Sequence, residues 1–255
     1  MIGLEFLLYL VLGALVAAFG TLIGAGGGII FVPLFLFMFP WSPAMITGTS
    51  LAIVFCNAAS GTVAYMRQKR IHYQAAVLFA VCTLPGAVLG AILTDYFSGA
   101  LFKLTFGSFL TLLSLFILWQ NRRKKATRVE HTDTHFAYSK PLGCAISFVV
   151  GFISSIFGIG GGVIHVPAMI YLLGFPTHIA TATSHFVLAV SALFGVTTHA
   201  IAGHIHWPLA IVFGLGSIVG AQIGARLAKR VQGPIIINLL ALALLLLGLR
   251  LVLLV

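Results

Sequence analysis

"GAGGGIIFVP", residues 24–33, places four glycines and a proline inside a chain whose flanking segments are almost wholly apolar. Glycine and proline are the residues a helix interior tolerates least. The same pattern returns as "GIGGGVIHVP" at residues 158–167. A slide of 134 residues lays Gly24, Gly26, Gly27 and Gly28 on Gly158, Gly160, Gly161 and Gly162, and Val32 and Pro33 on Val166 and Pro167. The register continues without a gap. Thr47, Thr49 and Ser50 of "TGTS" fall on Thr181, Thr183 and Ser184 of "TATS", "IHY" at 71–73 falls on "IHW" at 205–207, and "GAVLGAIL" at 86–93 falls on "GAQIGARL" at 220–227. Roughly 30% of positions between 24 and 93 are identical in this register. An internal repeat of that length sets the architecture before any single motif does.

Composition gives the medium. Of the 255 residues 60% are apolar and 7% charged, with a mean hydropathy of +1.14. Soluble domains carry about a quarter charged residues. Runs of about 20 apolar residues, enough to cross the hydrocarbon core, recur along the chain. The expected class is an all-α, polytopic membrane protein. The net charge of +10 does not argue for nucleic acid, because the basic residues sit at segment ends or in one polar linker, "NRRKKATRVEHTDTHFAYSK", residues 121–140. The amino terminus lacks a basic n-region and carries Glu5, which reads as a retained membrane segment. Cys56, Cys82 and Cys144 have no CxxC spacing and read as buried, reduced packing residues.

Each repeat follows one plan. An opening segment (3–23; 141–157) leads to the glycine break and a short apolar piece (29–39; 163–174), too short to span comfortably at about 1.5 Å per residue. Three longer segments follow: 43–66, 72–95 and 98–120, then 178–201, 207–229 and 233–255. The expected domains are a first transmembrane repeat (1–120), a basic linker (121–140) and a second repeat (141–255). Arg67, Lys69 and Arg70 are matched by Ile201, Gly203 and His204, whereas Thr94, Asp95 and Tyr96 are matched by Ala228, Lys229 and Arg230. Equivalent loops thus differ in basic character and face opposite sides by the positive-inside rule. That predicts two inverted-topology repeats, each a glycine-broken hairpin plus three transmembrane helices, with a cytoplasmic linker and both termini outside. Lys103 and Arg250 fit this least well, and both lie near segment ends where a long side chain can snorkel.

Irregular backbone at membrane depth survives only inside protein or beside a water-filled cavity. In inverted repeats such breaks meet near the midplane, where substrate binds. Glycines let N–H groups converge, and the helix that follows offers free donors and the positive end of its dipole. The chemistry suits a small anion. Substrate-binding candidates are therefore Gly24, Gly26, Gly27, Gly28, Gly158, Gly160, Gly161 and Gly162, joined by hydroxyls of Thr47, Thr49, Ser50, Thr181, Thr183 and Ser184 and the amide of Asn57. Small residues also serve plain helix packing, the reading adopted for Gly86 and Gly90, and membrane Ser and Thr often bond back to their own turn. His165 and His185 have no counterpart in the first repeat, which has Phe31 and Leu51 there, so a substrate or coupling-proton role for either is asymmetric. His72 and His206 are mates and are expected at interfaces.

Glu5, Asp95, Glu130 and Asp133 are the acidic residues, all at segment ends or in the linker. A cation carrier built on buried carboxylates is disfavoured. No metal-ligand spacing and no nucleophile–base–acid set is readable, so neither metal, cofactor nor enzymatic activity is expected.

The paired glycine motifs, each followed by a TxTS segment, resemble the TauE/SafE group of sulfite exporters, also called the four-toluene-sulfonate uptake permease family. The resemblance spans essentially the whole chain. It implies a multi-pass transporter of the bacterial inner membrane that exports small sulfur-containing anions such as sulfite, sulfoacetate and related organosulfonates. An alternating-access carrier is the leading reading. A channel-like anion pore and uptake instead of export are the alternatives, and the coupling proton or ion and the oligomeric state stay open.

Overall fold

The computed structural model describes residues 3–96, 99–123 and 138–253. Most of the linker, including Glu130 and Asp133, lies outside the described residues. Among the described residues there are ten α-helices: α1 (Gly3–Leu22), α2 (Gly28–Met38), α3 (Pro43–Arg67), α4 (Tyr73–Leu93), α5 (Gly99–Arg123), α6 (Lys140–Phe157), α7 (Gly162–Tyr171), α8 (Thr177–Ile201), α9 (Trp207–Ala228) and α10 (Gly233–Leu253). Eight are long and apolar enough to cross a bilayer, and α2 and α7 are the short pieces after the glycine breaks. No strand occurs among the described residues.

Local chemistry sets the ends. Ser42 caps α3, its hydroxyl accepting from Met45 N at 3.3 Å, with Pro43 supplying the fixed φ of a first turn. His72 and His206 cap α4 and α9: each Nδ1 accepts from the amide three residues on, Ala75 at 3.3 Å and Leu209 at 3.4 Å. The interface histidines of the sequence reading are therefore helix caps. Pro33 and Pro167 sit inside α2 and α7, where each removes one backbone donor and weakens a helix already short.

Packing exchanges the two repeats. α1 lies along α9 and its mate α6 lies along α4, while α3 contacts α8 and α9, and α8 contacts α4. Gly216, Gly220 and Gly224 of α9 abut the carbonyls of Leu10, Ala14 and Ala18, so α1 and α9 run parallel. Gly86 and Gly90 of α4 abut Phe148 and Phe152 of α6 in the corresponding register. The packing reading of Gly86 and Gly90 thus has its contact: a side chain there would enter backbone of the facing helix. α5 pairs with α10, with Ser114 donating to the Ala241 carbonyl at 2.8 Å. Leu7, Leu15, Leu112 and Leu246 point outward and form the lipid face.

One sequence expectation changes, and two basic residues gain a setting. The cysteines are free but only half-buried. Arg250 is exposed, and its guanidinium lies over the Phe37 ring, 4.6 Å from the centroid. Lys103 lines a cavity of about 400 Å³ with Phe39, Trp41 and Pro43.

Candidate functional site

The two breaks touch. A Cβ at Gly28 would lie 2.5 Å from the Ile159 carbonyl oxygen, and Gly162 abuts the Gly24 carbonyl. Gly24 packs on Thr181, and Gly158 on Thr47, its mate in the 134-residue register. Gly26 and Gly160 both face the side chains of Val54 and Leu188, themselves mates on α3 and α8. Positive φ angles at Gly24 (77°), Gly26 (75°), Gly27 (80°), Gly158 (69°) and Gly160 (67°) explain why these positions require glycine, since L side chains rarely adopt them. Gly28, Gly161 and Gly162 have ordinary φ, and at Gly28 and Gly162 proximity to the opposing break is the constraint.

The amides of the first break do not converge as a set. Gly24 N donates to Thr21 O, and Ala25 N and Gly26 N both donate to Gly20 O, closing the end of α1. At the second break Gly158 N and Ile159 N donate to Ser154 O. Backbone donors without an intrahelical acceptor lie instead in the first turns of α2 and α7, where neither Gly27 nor Gly161 is capped by a side chain. Both helix ends are buried, and a buried positive dipole end attracts an anion.

The hydroxyls sort into three environments. Thr47 Oγ1 donates to Ile156 O at 3.3 Å and Ser50 Oγ to Gly158 O at 2.8 Å, tying α3 to the second break. Thr49 Oγ1 accepts from His206 N at 3.0 Å and Thr183 Oγ1 from His72 N at 3.1 Å, so the second threonine of each TxTS ties its helix to the other repeat. Thr181 bonds back to Thr177 O, as membrane threonines often do. Ser184 Oγ is buried and makes no hydrogen bond.

Asn57 organises the polar centre. Its Nδ2 donates to Ala17 O at 3.0 Å, which turns Oδ1 toward Thr21 Oγ1 (3.0 Å) and His185 Nε2 (3.2 Å). Tyr65 donates to Thr21 O at 2.8 Å and lies edge-on to His185. His165 is placed elsewhere, with Nε2 3.1 Å from Ser147 Oγ and its ring edge-on to Phe79. All candidate side chains are 0–1% exposed, so the junction is closed. Thr21, Tyr65 and Ser147 escaped the sequence reading; their signal was a polar residue inside an otherwise apolar segment.

At the two ends of this core sit matched aromatic clusters. Trp41 stacks on His206 and Phe39, and its mate Phe175 meets His72 and Tyr138 edge-on or tilted. Among the described residues no group of three His, Cys, Asp or Glu could hold a metal ion.

Comparison with known proteins gives the family. The profile of "Sulfite exporter TauE/SafE" matches residues 9–251. The chain is 33% identical to the probable membrane transporter protein YunE of Bacillus subtilis, over 98% of both chains. It is 32% identical to a probable membrane transporter protein of Xylella fastidiosa over 86% of this chain and 84% of that one. A probable membrane transporter protein of Methanocaldococcus jannaschii is 25% identical over 89% and 90%. No solved structure matches. A multi-pass, all-helical chain with this profile across nearly its full length is a membrane transporter, not an enzyme, and belongs to the TauE/SafE sulfite exporter family.

Proposed function

We propose that this protein is a secondary carrier of the inner membrane that exports a small sulfur-containing oxyanion, sulfite, sulfoacetate or a related organosulfonate. Residues 1–120 and 141–255 act as inverted repeats about the junction of the two glycine breaks, with the linker cytoplasmic and both termini outside. The observation that carries this reading is the mutual contact of the breaks, Gly28 on Ile159 and Gly162 on Gly24. That contact puts two uncapped helix N-termini beside one another, and together they offer an oxyanion backbone donors without a fixed charge.

Gly24, Gly26, Gly27, Gly28, Gly158, Gly160, Gly161 and Gly162 shape the site. Ser50, Asn57, Ser184 and His185 line it, Thr47 and Thr181 pack on the opposing break, and Thr49 and Thr183 tie the ends. His165 supports α7 through Ser147. Complete burial of these groups supports a carrier over an open pore, because a pore exposes its lining to water.

Radiolabelled sulfite counterflow in proteoliposomes tests the reading. Saturable exchange is expected, inhibited by sulfoacetate. Non-saturating ohmic current, or no sulfite exchange above protein-free vesicles, refutes it.

A further inference from the structure

Comparing mates across the 134-residue register exposes a difference that carrier geometry alone does not require. Thr21, Asn57, Tyr65 and His185 form one connected buried network. Their mates are Ser155, Ser191, His199 and Leu51. Gly61 packs on the His185 ring where its mate Gly195 packs on Leu51. The scaffold is duplicated, and the position of His185 carries an imidazole in one repeat and Leu51 in the other.

The protonation of that imidazole follows from its partners. Ala17 O fixes the Asn57 amide, so Asn57 presents an acceptor to His185 Nε2, which must carry hydrogen. In the neutral ring Nδ1 is then a lone pair. It is buried and makes no hydrogen bond. Next to it, Ser184 Oγ is likewise unsatisfied, whereas its mate Ser50 donates to Gly158 O. Two buried, unpartnered polar atoms thus sit on adjacent residues of α8, one turn on from Thr181, which packs on Gly24 of the first break. Among the described residues, the titratable group recorded against the ring is Tyr65 of α3, whose hydroxyl is donated to Thr21 O. α1 and the loop at 23–27 bring no charge beyond Glu5 at the far end of α1.

We propose that His185 Nδ1 is a proton-binding site that fills together with the anion, making this protein a proton–oxyanion symporter. This rests on the anion reading above. A second proton on the ring makes a buried imidazolium, which is costly without a counter-charge. The anion supplies that charge, and Nδ1–H and Ser184 Oγ–H then donate to its oxygens. The proton comes from water on the loading side and returns to water on the other, with no bond in the anion made or broken. A singly charged anion crosses without net charge. Export proceeds when the anion's own gradient exceeds the opposing pH gradient.

The test is sulfite binding to the purified protein in detergent, by titration calorimetry in buffers of different ionisation enthalpy, at mildly acidic pH where sulfite is singly charged hydrogensulfite. The wild-type protein should take up about one proton per bound anion, as the ring passes from neutral to charged. H185Q, which keeps a donor toward Asn57, should reduce the uptake per bound anion to near zero, and H165Q should leave that ratio at the wild-type value. Sulfite binding without proton uptake in the wild-type protein overturns the proposal alone. So does undiminished uptake in H185Q, or its loss in H165Q, and the wild-type and H165Q arms decide the matter even where H185Q does not fold. No sulfite binding at all refutes the function reading, and the symport proposal falls with it.

Discussion

Thr49 and Thr183 tie the two ends of the core to the opposite repeat, and if the protein works by alternating access, replacing them one at a time should open it from opposite sides. Each hydroxyl accepts the backbone N–H of the residue that begins a helix of the other repeat: His206 N on Thr49 at 3.0 Å and His72 N on Thr183 at 3.1 Å. Those donors have no helical acceptor of their own. Valine keeps the shape of threonine and removes the oxygen. In the closed state the donor is then left unsatisfied, at about 1–3 kcal/mol. In the open state water serves it, so the substitution weighs on closure alone and shifts the opening equilibrium about 5- to 150-fold.

Val54 is the reporter. It is fully buried and touches both Gly26 and Gly160. With Cys56, Cys82 and Cys144 replaced by alanine, V54C reacts with a membrane-impermeant thiosulfonate only when one end opens. T49V should raise the labelling rate about 5- to 150-fold from the side bearing the 202–206 loop and leave the other side unchanged, and T183V should do the reverse. Equal acceleration from both sides, or none in either variant, refutes the latch reasoning.

Other outcomes follow from the same contacts. Gly28→Val and Gly162→Val drive side chains into the opposing break, so sulfite counterflow should vanish in both while the melting temperature in detergent falls by the equivalent of about 1–3 kcal/mol; normal counterflow in either contradicts the junction. G86L and G220L meet equivalent carbonyls on α6 and α1, so their melting temperatures should fall equally, and a fall in only one shows that the exchanged packing is not equivalent. S50A removes the bond to Gly158 O and should destabilise by about 1 kcal/mol, whereas S184A removes no bond and should leave melting unchanged while weakening sulfite binding. H72A and H206A should each cost about 1 kcal/mol of thermal stability as lost caps, with asparagine restoring most of it.

Helix number and boundaries were legible because apolar length and punctuation decide them. Each expected segment matches a helix to within about three residues at either end, little more than the one or two by which helix ends differ between assignments. The contact between the breaks was legible too, since duplication at a fixed spacing leaves few other ways to bury irregular backbone. Hydrogen-bond partners were not. Gly24, Ala25 and Gly26 turn their amides back onto α1, an outcome of backbone angles that glycine permits but does not dictate. Equally, nothing in "IHY" or "IHW" distinguishes an interface histidine from a capping one. That depends on the turn preceding the helix and on Thr183 and Thr49 arriving from the other repeat.

The division between what the repeats share and what they do not has a physical rationale. A carrier that opens to either side needs two ends of comparable strength, and here the parts that close the ends are duplicated: the glycine breaks, the second TxTS threonine, the capping histidine and an aromatic beside it. Unequal ends would leave one face open most of the time, because about 1.4 kcal/mol already makes a tenfold bias. The bound species, on the proposed reading, is one anion with no two-fold symmetry to match. Duplicating its polar contacts would bury a second set of unsatisfied groups, each costing about 1–3 kcal/mol. Leu51 opposite His185 avoids that cost on the mate's side, where Gly195 packs against a methyl group. If symmetry serves the proposed motion and asymmetry the proposed ligand, an L51H substitution should add a buried imidazole without adding a second anion site.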